Sequence, residues 1–97
     1  MQMHNPPHPG RIIKEALESV PITVSEFAAH IGVSRVALSR VLNERAAVTP
    51  EMSIRISEAF GQDSPEIWFK VQNGHDFWKA MQAKRKKVRA LKLKIAA

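Results

Sequence analysis

The chain has 97 residues, enough for one small domain with at most a short appendage. Its 44% hydrophobic and 25% charged residues are globular values and exclude a wholly disordered chain. Cysteine is absent, which removes disulfides and thiolate metal sites, and no apolar run approaches the ~20 residues that span a bilayer. The opening ten residues hold three prolines and no apolar core of a secretory signal, so a soluble cytoplasmic protein with no membrane partner is expected.

The formal charge of +6 is unevenly placed. Residues 79–97 carry eight Lys or Arg and no acid, which leaves seven basic against nine acidic residues in 1–78, a net of −2. A DNA-binding reading of residues 1–78 must therefore rest on where individual charges fall.

Pro9-Gly10 opens a segment in which Ile13, Ala16, Leu17 and Val20 keep helical spacing, and Pro21 stops it. Thr23-Val24-Ser25-Glu26 reads as a capping box, in which hydroxyl and carboxylate satisfy first-turn amides reciprocally. Phe27, Ala28 and Ile31 form the inner face of that short helix, and Gly32 suits the left-handed position past its end. Ser34 caps a third helix running to Asn43, with Leu38, Val41 and Leu42 inward. Thr49-Pro50-Glu51 starts a fourth, lined by Met52, Ile56, Ala59 and Phe60 and ended by Gly61. Ser64-Pro65-Glu66 starts a fifth, carrying Ile67, Trp68 and Val71.

A break is expected at Asn73-Gly74. Beyond it, strong helix formers predict a basic helical tail whose Phe77, Met81, Val88, Leu91 and Ile95 make a 4-3-4 seam interrupted by Lys84. Such a tail either frays in water or lays its apolar stripe on a second subunit or another partner. No stretch alternates as a strand would, so the domain reads as all-α.

Residues 23–45 carry the functional signal. Two short helices joined by Gly32-Val33-Ser34 fit a helix-turn-helix, whose second helix enters the DNA major groove. Ala28 is small enough for close helix approach, Gly32 permits the turn, and Leu38 and Val41 anchor the second helix. With Leu38 inward, the ~100° rotation per residue turns Val36, Ser39, Arg40 and Asn43 outward, with Arg35 at the edge of the first turn. That face has no acid. Arg35 and Arg40 suit bidentate bonds to guanine, Val36 and Ala37 thymine methyls, and Ser39 a base edge or a phosphate. Ser34, Asn43 and Arg45 flank the helix and suit phosphate contacts that fix register. Taken alone, two arginines on a short helix are more simply a solvated face; the helix-turn-helix frame reverses that preference.

These residues resemble a HigA-type antitoxin of the XRE helix-turn-helix family over about residues 8–78. The resemblance rests on His8-Pro9-Gly10, on Phe27-Ala28-Ala29-His30-Ile31-Gly32-Val33-Ser34-Arg35, and on Leu38-Ser39-Arg40-Val41-Leu42-Asn43. Thr49-Pro50-Glu51-Met52 and Ser64-Pro65-Glu66-Ile67-Trp68-Phe69, followed by Gln72, complete it. It implies a five-helix, lambda-repressor-like DNA-binding domain at 1–78 with the basic tail at 79–97. It also implies a homodimer that represses its own operon at a palindromic double-stranded operator and neutralises a HigB-type toxin, a RelE-like ribonuclease. A stand-alone XRE-family regulator without a toxin partner is the alternative. The chain departs from the pattern at Glu44, where glycine is common, at Arg11, where an acid is frequent, and at Asn73-Gly74-His75-Asp76.

Other chemistry finds little purchase. His4, His8, His30 and His75 show no metal-ligand spacing, and His4 and His8 fall in a proline-rich lead expected to be mobile. No nucleophile elbow or phosphate-binding glycine loop occurs, so neither catalysis nor a cofactor is expected. Trp68, Phe69, Phe77 and Trp78 read as core and dimer contacts before nucleobase platforms. A non-specific RNA or membrane binder driven by the tail is a third, weaker reading.

Overall fold

Four of the five helices start on a side chain that accepts from a first-turn amide, a bond worth ~1 kcal/mol of helix stability. In the computed structural model, which describes residues 5–93, helix α1 spans Pro9–Glu18, α2 Val24–Ile31, α3 Arg35–Leu42, α4 Pro50–Ala59 and α5 Ile67–Gln82. His8 Nδ1 accepts from the Gly10 amide at 2.9 Å, and Pro9, with no amide to satisfy, fills the first helical position. At α2 the Glu26 amide donates to Thr23 Oγ1 at 3.1 Å while Thr23's amide donates back to Glu26 Oε1 at 2.8 Å. Those bonds to Thr23 hold the Glu26 carboxyl below its ordinary range. Ser34 and Thr49 cap α3 and α4 by a single bond each, accepting from the Ala37 and Met52 amides.

The inward faces meet in one core built on Ile13, Phe27, Leu38, Val41, Ile56 and Trp68. Helix α3 lies against α1 and α2, and α4 packs on α2 and α5. Phe60 bridges Phe27 and Trp68, with ring centroids 5.6 and 6.0 Å away. Buried serines tie α4 to the turn before α5. Ser53 Oγ donates to the Pro65 carbonyl at 2.8 Å and accepts from the Phe69 amide, and Ser57 Oγ donates to the Ser64 carbonyl at 2.9 Å.

Three expectations are corrected. The break at Asn73-Gly74 does not occur: α5 runs through both residues to Gln82. Side chains of this stretch are held from outside the helix, because Gln72 accepts from the Val48 amide at 2.9 Å and His75 Nδ1 lies 2.9 Å from the Pro6 carbonyl oxygen. Those contacts outweigh the ~1 kcal/mol helix penalty of one glycine.

The helical tail is the second correction. Helix ends at Gln82, Ala83 is extended, and no helix occurs at 84–93. Like-charge pairs at helical spacing, such as Arg85 with Arg89 and Lys84 with Lys87, oppose coiling with nothing packed against them. Val88 and Leu91 therefore continue no seam, and Ile95 lies outside the described residues. The third correction is His8, which is a buried cap and not part of a mobile lead; His4 lies outside the described residues.

Candidate nucleic-acid interface

The turn between α2 and α3 depends on Gly32, whose φ of +76° lies in the left-handed region. A β-carbon there would also stand 2.8 Å from Arg55 Nη1. Arg55 reaches across from α4 to donate to the Ile31 carbonyl at 2.8 Å, one of the carbonyls that α2's end leaves without a helical partner. Glu51 fixes the guanidinium by accepting from Nη2 at 2.8 Å and Nε at 3.2 Å. Sequence reading missed this clamp; its one visible trace is the Glu51–Arg55 spacing of four.

The turn delivers α3 with Leu38, Val41 and Leu42 buried and its other side to solvent. Arg35, Val36, Arg40 and Asn43 are exposed, Ser39 is half-buried beside them, and Val36 is 68% exposed despite being apolar. Asn43 Nδ2 donates to Ser39 Oγ at 3.3 Å, which joins the two polar tips. Ser34 stands exposed at the helix start with its hydroxyl oxygen accepting from the Ala37 amide at 3.0 Å. Ala37 is half-buried and packs on the core, so its methyl is less available than Val36. No Asp or Glu lies between Ser34 and Asn43.

After Asn43 the chain reverses at Glu44, whose φ is +61°; this is the position where the resemblance calls for glycine. The reversal brings the Arg45 amide back to the Arg40 carbonyl at 2.8 Å, and Arg40 Nη2 in turn points at the Arg45 carbonyl oxygen, 3.5 Å away. Arg45 is exposed and shares a cleft with Glu44, His8, His75, Trp78 and Lys79. Helix α5 thus passes beside the exit of α3, a juxtaposition invisible in sequence because Lys79 lies far along the chain and reads as tail.

Two histidines brace that cleft, their rings edge to face at 5.3 Å. His8 Nδ1 accepts, so in the neutral ring the proton sits on Nε2; His75 Nδ1 faces a carbonyl and carries its own. Burial first, and the charge of His75 second, lower the His8 pKa from 6.5; Glu44, Asp76 and a backbone bond at Ala46 pull the other way. Among the described residues no group of three His, Asp or Glu side chains converges as a metal site would, and no helix is long and apolar enough to cross a membrane.

A small all-helical domain that turns an acid-free face outward from its third helix is the architecture of a helix-turn-helix DNA-binding protein. The helix-turn-helix family matches residues 13–67, and the chain belongs to that family, in its XRE branch. It is 36% identical over 90 residues to virulence-associated protein A' of Dichelobacter nodosus, covering 93% of this chain and 78% of that protein. It is 33% identical to antitoxin HigA-1 of Vibrio cholerae, over 71% of this chain and 65% of the other. In three dimensions it resembles the Pseudomonas aeruginosa antitoxin HigA solved with the higBA promoter. That likeness has a TM-score of 0.72 at 26% identity and covers 77% of this chain and 82% of the other.

Proposed function

We propose that this chain is the antitoxin of a type II toxin–antitoxin module. It acts as a cytoplasmic autorepressor that binds a palindromic operator as a two-fold dimer and neutralises a HigB-type ribonuclease. The observation that carries the reading is the acid-free outer face of α3, presented on a frame like that of the antitoxin HigA solved with the higBA promoter. Arg35 and Arg40 read guanines in the major groove, and Val36, backed by Ala37, meets a thymine methyl. Ser34, Ser39, Asn43 and Arg45 hold phosphates and set register. Two recognition helices ~34 Å apart match one duplex turn.

A second copy accounts for Phe77 and Met81, which lie one turn apart on α5 and are 70% and 67% exposed. The test combines two measurements on the full chain. Gel shifts with duplex from immediately upstream of its own gene should show a dimer on one site. Affinity-tagged chain co-expressed with the product of the adjoining reading frame should retain that product. DNA binding without co-purification indicates a stand-alone regulator, and binding to neither overturns the proposal.

A further inference from the structure

We infer that residues 84–93 form a second DNA contact, an uncoiled cationic arm that follows the phosphate backbone beside the stretch met by α3. This inference rests on the DNA-binding reading above. The arm carries Lys84, Arg85, Lys86, Lys87, Arg89 and Lys92 with no acid, while residues 1–78 are net negative. All ten of its residues are exposed, and none of the ion pairs among the described residues involves them. The molecule is drawn out to 57 × 27 × 26 Å.

Position argues for the partner. Lys79 shares the cleft with Arg45 at the exit of α3; α5 ends at Gln82, an advance of ~5 Å, and the arm begins two residues later. Ten extended residues then reach ~33 Å, about the length of one duplex turn. Arg40 points at the Arg45 carbonyl oxygen, and Arg45 and Lys79 line the cleft together with Glu44 and Asp76, so basic side chains recur between the exit of α3 and the start of the arm.

Composition argues for duplex over single strands. Single-stranded binders place aromatic rings under successive bases, and residues 84–93 contain none. Cations spaced along an uncoiled chain instead suit a double helix carrying one phosphate per ~1.7 Å of axis. Pairing with those phosphates also removes the mutual repulsion of the arm's own charges.

The test is fluorescence anisotropy with a labelled 40-base-pair duplex of mixed sequence, from 50 to 300 mM KCl. It compares the full chain with the full-length K84Q/R85Q/K86Q/K87Q variant. Each phosphate neutralised contributes ~0.9 to the salt slope, so the variant's slope should be shallower by about 3–4 and its affinity at 100 mM at least tenfold weaker. Its melting temperature should not move. Equal slopes and affinities, with shifts of upstream DNA still dependent on Arg40, overturn the arm and leave the repressor reading standing. A full chain that binds neither duplex overturns both. A variant weakened only toward single-stranded RNA of equal length also overturns the duplex contact.

Discussion

Gly10 and Val41 approach so closely that a β-carbon on Gly10 would overlap the Val41 carbonyl oxygen. The start of α1 thus rests directly on the backbone of α3, the helix that faces DNA in the proposed function. Gly10→Ala must push the two helices apart and should cost ~3 kcal/mol, the upper end for an overpacked core. Urea denaturation measures it; a loss under ~0.5 kcal/mol would show that the contact yields easily.

Glu44 presents the converse case. Its left-handed backbone costs ~1–2 kcal/mol for a residue with a β-carbon, and its side chain is exposed. Glu44→Gly removes that strain but adds freedom to the unfolded chain, so a net gain of ~0.5–1 kcal/mol is expected. Thermal melts should show the variant more stable, with Arg45 unchanged in place.

Arg40 reads a guanine edge in the proposed function, and its tie to the Arg45 carbonyl, at the outer limit of a hydrogen bond, leaves the guanidinium free to do so. Arg40→Ala should cost ~1–3 kcal/mol on the operator and relax preference at one base step. Equal losses on operator and random duplex would assign it to phosphate.

His8 makes stability depend on pH. Its folded pKa lies below 6.5, so at lower pH the unfolded chain takes up a proton that the folded chain resists. The contribution is complete above about 6.5 and is lost as pH falls through the lowered folded value, involving at most one proton. Urea midpoints should therefore decline from pH 7 toward pH 5, and His8→Asn, though less stable at neutral pH, should decline less steeply. A parallel decline in both proteins would remove His8 as the cause.

The sequence made legible what neighbouring residues decide among themselves. Thr23 with Glu26, Ser34, and Thr49 with Pro50 each start a helix through bonds closed within one turn, and those starts are where the spacing places them. The buried side of α3 was equally legible, because Leu38, Val41 and Leu42 follow helical rotation. Legibility failed where distant chain intervened. Gly74 stays helical because Gln72 and His75 are held by Val48 and Pro6, and nothing local announces either bond. His8 is buried because α5 lays His75 against it. The tail differs: helix propensity favours coiling there, repulsion among its own charges opposes it, and of the two sequence readings the unsupported one matches the absence of helix at 84–93. Whether Ser34, Arg35, Val36, Ala37, Ser39, Arg40, Asn43 and Arg45 touch DNA is a property of a complex, which a single chain expresses only as exposure and charge.

The clamp formed by Glu51, Arg55 and the Ile31 carbonyl has a wider bearing. The end of α2, and with it the turn that delivers α3, is braced from α4, so on the proposed function the tilt of the reading surface depends on a helix outside the groove. On the proposed function, a change at Glu51 therefore swings that surface against its target while every side chain of α3 stays the same, which gives operator preference a steering point remote from the nucleic acid.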